Sequence, residues 1–93
     1  MKYNDLKNFS NPDYVMKKAK EDYGMNIEIS DRKDKKYMVQ NPKGKWIHFG
    51  QMGYEDYTYH NDKVRRNNFR KRNHKWANFP KYSPAFLSYH LLW

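Results

Sequence analysis

Lys35-Lys36-Tyr37-Met38-Val39-Gln40-Asn41-Pro42-Lys43-Gly44-Lys45-Trp46-Ile47-His48-Phe49 is the stretch on which the fold turns. Residues 35–40 alternate so that Tyr37 and Val39 share one face of a strand. Asn41-Pro42-Lys43-Gly44 then sets Pro and Gly at the second and fourth positions of a type I turn. A strand over 45–49 follows, with Trp46 and His48 on one face and Ile47 and Phe49 on the other. Two strands this close in sequence and joined by so tight a turn pair antiparallel.

Upstream, Met25-Asn26-Ile27-Glu28-Ile29-Ser30 also alternates apolar and polar, and Asp31-Arg32-Lys33-Asp34 reads as a turn. Residues 25–49 are therefore expected to form a three-stranded meander, whose apolar face needs a helix to cover it. Residues 11–24 supply one: Asn11 is an N-cap, Pro12 suits the first helical position, Asp13 suits the positive helix end, and Gly24 closes the other. Val15, Met16, Ala19 and Tyr23 make its apolar stripe. Residues 1–10 read as a polar arm with Leu6 and Phe9 as anchors, packing down at Phe9.

Downstream, Gly50-Gln51-Met52-Gly53 reads as a turn, because its two glycines permit positive φ. Tyr54 to His60 fits either an alternating strand or an ordered loop within 50–61. Residues 62–76 read as a helix capped by Asn61 or Asp62, 77–82 as a linker, and 84–93 as a short apolar helix, opened by Ser83 and Pro84, that closes the core or forms a partner surface. The expectation is a single α+β domain of 93 residues.

Val, Ile, Leu and Phe are scarce and the net charge is +9, a combination that ordinarily marks disorder. Nine Tyr and three Trp argue for folding, since each ring buries a large area while its polar tip stays satisfied. The absence of cysteine excludes disulfides and thiolate metal sites. No apolar run reaches the ~18 residues that a membrane span needs, and Met1-Lys2-Tyr3-Asn4-Asp5 lacks the apolar core of an export signal. The expectation is a soluble protein that is not secreted.

The basic segment is the strongest functional signal. Lys63, Arg65, Arg66, Arg70, Lys71, Arg72 and Lys75 face only Asp62 as counter-charge, whereas a solvated helix mixes signs for i,i+4 support. Such a surface suits phosphate, which Arg can grip with two donors at once. Trp46 and Trp76, with Tyr57 and Tyr59, offer faces on which unpaired bases stack. The reading is a non-enzymatic protein that binds DNA or RNA mainly through phosphates, with no small-molecule cofactor and little sequence specificity.

Asp56, Thr58, His60 and Asp62 invite a second chemistry. Asp56, His60 and Asp62 are oxygen and imidazole donors that could hold a divalent metal for phosphodiester hydrolysis. Against this, Asp62 can cap the helix, Asp56 can pair with Arg65 or Arg72, and Thr58 and His60 can bond the turn backbone. The spacing matches no HNH-type or GIY-YIG pattern, so these residues are assigned to organising the loop. His48 reads as a partly buried, hydrogen-bonded histidine.

Taken in order, Ile47-His48-Phe49-Gly50, Gly53-Tyr54, Asp56-Tyr57-Thr58, His60, Asp62, Arg65-Arg66, Phe69, Arg72, Phe86-Leu87-Ser88 and Leu91-Leu92-Trp93 resemble a small family encoded by large double-stranded DNA viruses. The resemblance implies a viral origin and a compact fold, hence a location in host cytoplasm or nucleus or in the virion, and it brings no activity with it. It does frame the rival reading, a minor capsid or virion assembly protein. In that case the basic face, or an apolar surface of Phe86, Leu91, Leu92 and Trp93, would meet another virion protein.

Overall fold

The computed structural model describes residues 2–93. Its elements run α1 (Lys2–Leu6), α2 (Pro12–Tyr23), β1 (Glu28–Ile29), β2 (Lys35–Gln40), β3 (Trp46–Gln51), α3 (Tyr57–His60), α4 (Lys63–Arg72), a 3₁₀ turn (His74–Asn78), α5 (Pro84–Leu87) and a π-helical turn (Ser88–Leu92). The strands form one antiparallel sheet in the order β1-β2-β3. The fold is α+β, as the meander implies.

The local signals act as their chemistry dictates. Asn11 Oδ1 accepts the Tyr14 N–H at 3.2 Å, Pro12 opens α2, and Gly24 closes it at φ 66°. The Met25 N–H then reaches Ala19 O at 3.1 Å, which satisfies a carbonyl of the last turn and swings Met25 into the core. In the β2–β3 turn the Gly44 N–H donates to Asn41 O, and Asn41 Oδ1 takes the N–H groups of Lys43 and Lys45. Register pairs Tyr37 with Phe49 and Val39 with Ile47, so one face carries the apolar residues. Val15 and Ala19 of α2 join the same core.

Four expectations need correction or narrowing. The arm is a short helix, and its anchor is the fully buried Leu6; Phe9 is only half buried. The first strand pairs over Glu28–Ile29 alone, although burial alternates from Met25 onward. The turn expected over 50–53 falls at Met52 and Gly53, the latter at φ 91°, and Gly50 takes no part in it. It sits inside β3 at φ 80°, where a Cβ would come within 3.0 Å of Lys36 Cβ and Leu92 Cδ1, so the glycine admits two side chains. Fourth, of the two uses open to the C-terminal segment, closing the core or meeting a partner, the structure takes the first. Leu87, Leu91 and Leu92 are buried, and each contributes about 1.5–3 kcal/mol by leaving water. Leu91 and Leu92 are therefore not a partner surface; Phe86 and Trp93 are half buried at its margin.

Among the described residues no helix is long and apolar enough to cross a membrane.

Candidate nucleic-acid interface

The loop after β3 is held by a buried polar network. Lys36 and Asp56 are 2% and 1% exposed, with Lys36 Nζ 3.0 Å from Asp56 Oδ2 and 2.6 Å from Tyr54 O. The other carboxylate oxygen, Oδ1, caps α3 by accepting the Thr58 N–H and also accepts the Thr58 hydroxyl proton. With that proton committed, Thr58 Oγ1 can only accept, and it takes the Asn11 N–H at 2.9 Å. The chain of donation must then run from Tyr37 to Ser10 to Thr58 to Asp56, across contacts of 2.6 Å and 3.1 Å in its first two steps. Burial drives the Tyr37 hydroxyl far above its ordinary range, and the nearby Asp56 charge adds to it. Burial also lowers the Lys36 ammonium, against the pull of Asp56.

Asp56 and Thr58 thus organise the loop, but with other partners than the sequence suggests. Arg65 bonds Glu55 at 3.0 Å, and Asp56 belongs to Lys36. Of the two readings of 54–60, strand or ordered loop, the strand is excluded: the loop is ordered by one helical turn, Tyr57–His60. Asp62 caps α4 through the N–H groups of Val64 and Arg65. His60 Nδ1 accepts the Asp62 N–H at 2.9 Å, while its ring lies 5.2 Å from Trp93. Both Asp56 oxygens, His60 Nδ1 and Asp62 Oδ1 are thus each turned to a local bond. Among the described residues no three such groups are placed to hold an ion.

The basic helix is shorter than 62–76. It ends at Arg72, Asn73 breaks it, and a 3₁₀ turn carries Lys75 and Trp76. No α4 residue is fully buried, and its cations divide by face. Arg66 lies 4.4 Å above the Tyr57 ring. Arg70 lies 5.4 Å above Tyr89 and donates to Trp93 O at 2.8 Å. These two are spent on packing, and Tyr57 is lost as a stacking face. Their charge reaches Lys18 as well. Burial, with Arg70 and Arg66, holds its ammonium below the usual range against Asp22. Lys63, Lys71, Arg72 and Lys75 are exposed and have no carboxylate partner among the described residues.

The opposite face of α4 borders an open cleft of about 750 Å³. Arg65, Asn68, Phe69 and Arg72 form one wall, the Lys35–Gln51 end of the sheet another, and α5 with the C-terminal turn the third. Its floor is aromatic. Phe69 stacks on Trp93 at 4.3 Å and 7°, and Trp76 meets Phe69 edge-on at 5.8 Å. Its charge is positive: Lys35, Lys36, Arg65 and Arg72 line it against Glu55 and Asp56. Trp76 thus joins the basic helix, as the sequence suggests. Trp46 does not. It is exposed at the far end of β3 from Gln51, roughly 10 Å along the strand from Phe49, where the cleft begins. His48 is a hydrogen-bonded structural residue, with Nδ1 2.7 Å from Ser30 Oγ.

A family model spans residues 25–73, more than half the chain, from the strand run through the end of α4. The chain belongs to DUF5754, a family of unknown function. The matched segment holds both Lys36 and Asp56 and all of α4, but neither Trp76 nor Trp93. No curated protein and no solved structure matches the chain significantly.

Proposed function

We propose that this is a non-enzymatic viral protein that binds nucleic acid mainly through phosphates, with little sequence specificity. The observation that carries the reading is the division of charge on α4. Arg66 and Arg70 are packed over aromatic rings, Arg70 also donating to a carbonyl, while Lys63, Lys71, Arg72 and Lys75 stand exposed with no carboxylate partner among the described residues. Exposed cations without carboxylate partners gain affinity for a polyanion by releasing its condensed counterions. The proposed setting is host cytoplasm or nucleus, or the virion.

The assembly reading keeps only the basic face, because the apolar segment it would use closes the core. An acidic virion protein and a nucleic acid would both meet that face, and salt titration separates them. Anisotropy of labelled DNA and RNA should show log K falling linearly with log salt, by about 0.9 per phosphate neutralised on duplex. The triple change Lys71→Ala, Arg72→Ala and Lys75→Ala should flatten that slope. Negligible binding of either polymer near physiological salt would sink the proposal and leave the acidic protein partner.

A further inference from the structure

We infer that the cleft between α4 and the sheet end receives one unstacked base of a single strand, whose adjoining phosphates lie on Arg72 and Lys35. The inference rests on the phosphate-binding reading and adds a preference for single strands to it.

The cleft has the size and the two-part chemistry for this ligand. Its volume of about 750 Å³ lies in the range of small-molecule sites. A base needs an aromatic face that is both free and held in place; Tyr54 lines the cleft but is 70% exposed, and the other packed rings are engaged. Phe69 and Trp93 are stacked on each other, and Phe49 leans on Tyr37 at 5.6 Å. Trp76 meets its neighbour only by an edge, and among the described residues nothing stacks on it. It is half buried, so its position is fixed while one side stays open to the cleft.

At the rim, Arg72 has no carboxylate partner among the described residues, and Lys35 meets only the Gln51 amide oxygen, at 3.4 Å. A nucleotide joins an apolar ring to an anion, and the cleft joins an aromatic floor to unpaired cations. Duplexes keep their ring faces stacked, and reaching Trp76 would require a base to leave the helix at a cost of a few kcal/mol. Single strands present every base this way. Stacking accepts any base, which agrees with low sequence specificity.

The test uses the full chain with a short oligothymidylate and with a hairpin duplex of equal phosphate count, read by anisotropy and tryptophan fluorescence at one salt concentration. The expected result is tighter binding of the single strand, with tryptophan emission quenched. Trp76→Leu should weaken single-strand binding roughly 5- to 150-fold and leave duplex binding unchanged. Because Trp76 also supports Phe69, a second variant guards against loss of the fold. Asn68 is exposed on the cleft wall, and Asn68→Phe sets a ring into the cleft, where it competes with a base for the Trp76 face, without touching the core. It should abolish the single-strand preference and the quenching while the salt slope persists. Equal affinity for both polymers without quenching, or an Asn68→Phe protein that keeps the preference, would overturn the cleft assignment and spare phosphate binding. Binding of neither polymer would overturn both. Quenching that tracks protein concentration alone would give the cleft to a second copy of this chain, and would also overturn the inference.

Discussion

Lys36 and Arg72 are both cations lining the same cleft, yet they are opposite in circumstance. Lys36 is buried and has a carboxylate at 3.0 Å with backbone carbonyls around it. Arg72 is exposed and, among the described residues, has no carboxylate. The difference separates two uses of charge in one small chain. A charge taken out of water must bring its counter-charge with it, because desolvation costs several kcal/mol per ion; a charge left in water carries no such obligation. The paired cation is therefore part of the architecture, and the unpaired one is available to a partner. Variants at the first should change stability and leave binding alone, and variants at the second should do the reverse.

The largest effect is expected from splitting the buried pair. Asp56→Ala leaves the Lys36 ammonium buried without its counter-charge and removes the cap of α3, so it should cost about 3–5 kcal/mol in urea denaturation. That is a large part of the ~5–15 kcal/mol typical of a folded domain. The double variant Lys36→Met with Asp56→Leu should be more stable than Asp56→Ala, since no lone charge remains. If Asp56→Ala costs under about 1 kcal/mol, the ion pair does not hold this loop, and the contrast with Arg72 collapses.

Next is Gly50→Ala. The new Cβ would press on Lys36 Cβ and Leu92 Cδ1 at 3.0 Å, and φ 80° is unfavourable to any side chain. A loss of about 1–3 kcal/mol is expected from overpacking, with the salt slope of nucleic-acid binding unchanged. A substitution that is neutral would show that the Lys36 side chain can yield.

These two positions also mark what could be read from sequence. Asn11, Pro12 and Gly24 delimit α2, and Asn41 to Gly44 sets the hairpin, because each signal acts within a few residues of itself. Gly50 misleads for the same reason. Two glycines three apart look like a turn, whereas the cause of this glycine is Leu92, which packs there from the far end of the chain. The Lys36–Asp56 pair spans twenty residues, and lysine is rarely a buried residue, so nothing local announces it. Asp62 as a cap and the union of Trp76 with the basic helix were legible. The diversion of Arg66 and Arg70 to Tyr57, Tyr89 and Trp93 was not, since the ring beneath a guanidinium is set by tertiary packing.

The exposed cations give the converse test. Lys71→Ala, Arg72→Ala and Lys75→Ala together should shift stability by no more than about 0.5 kcal/mol per site. The slope of log K against log salt on duplex should shrink by about 0.9 for each phosphate contact removed. Arg66→Ala and Arg70→Ala should lower stability first, because they lose a ring and a carbonyl. A triple variant that unfolds while binding as before would reverse the assignment.

The smallest effect sharpens the boundary between the two regions, where His60 stands between the buried loop and α4. Its Nδ1 accepts the Asp62 N–H, so the neutral ring carries its proton on Nε2, which is buried and has no partner among the described residues. Acid must therefore protonate Nδ1 and break that bond. Burial first, and then the nearby Arg65, hold the His60 pKa below its ordinary value against the pull of Asp62 and Glu55. The folded state then binds fewer protons than the unfolded chain between the lowered pKa and the ordinary value of about 6.5. Stability should rise with pH across that window and fall as pH drops through it. His60→Gln removes the titration, so the variant's melting temperature should depend less on pH than that of the parent from about pH 7.5 to about pH 5. Equal slopes for the two proteins would mean that Asp62 holds α4 without help from the histidine, and the loop and the basic helix would then be energetically separate.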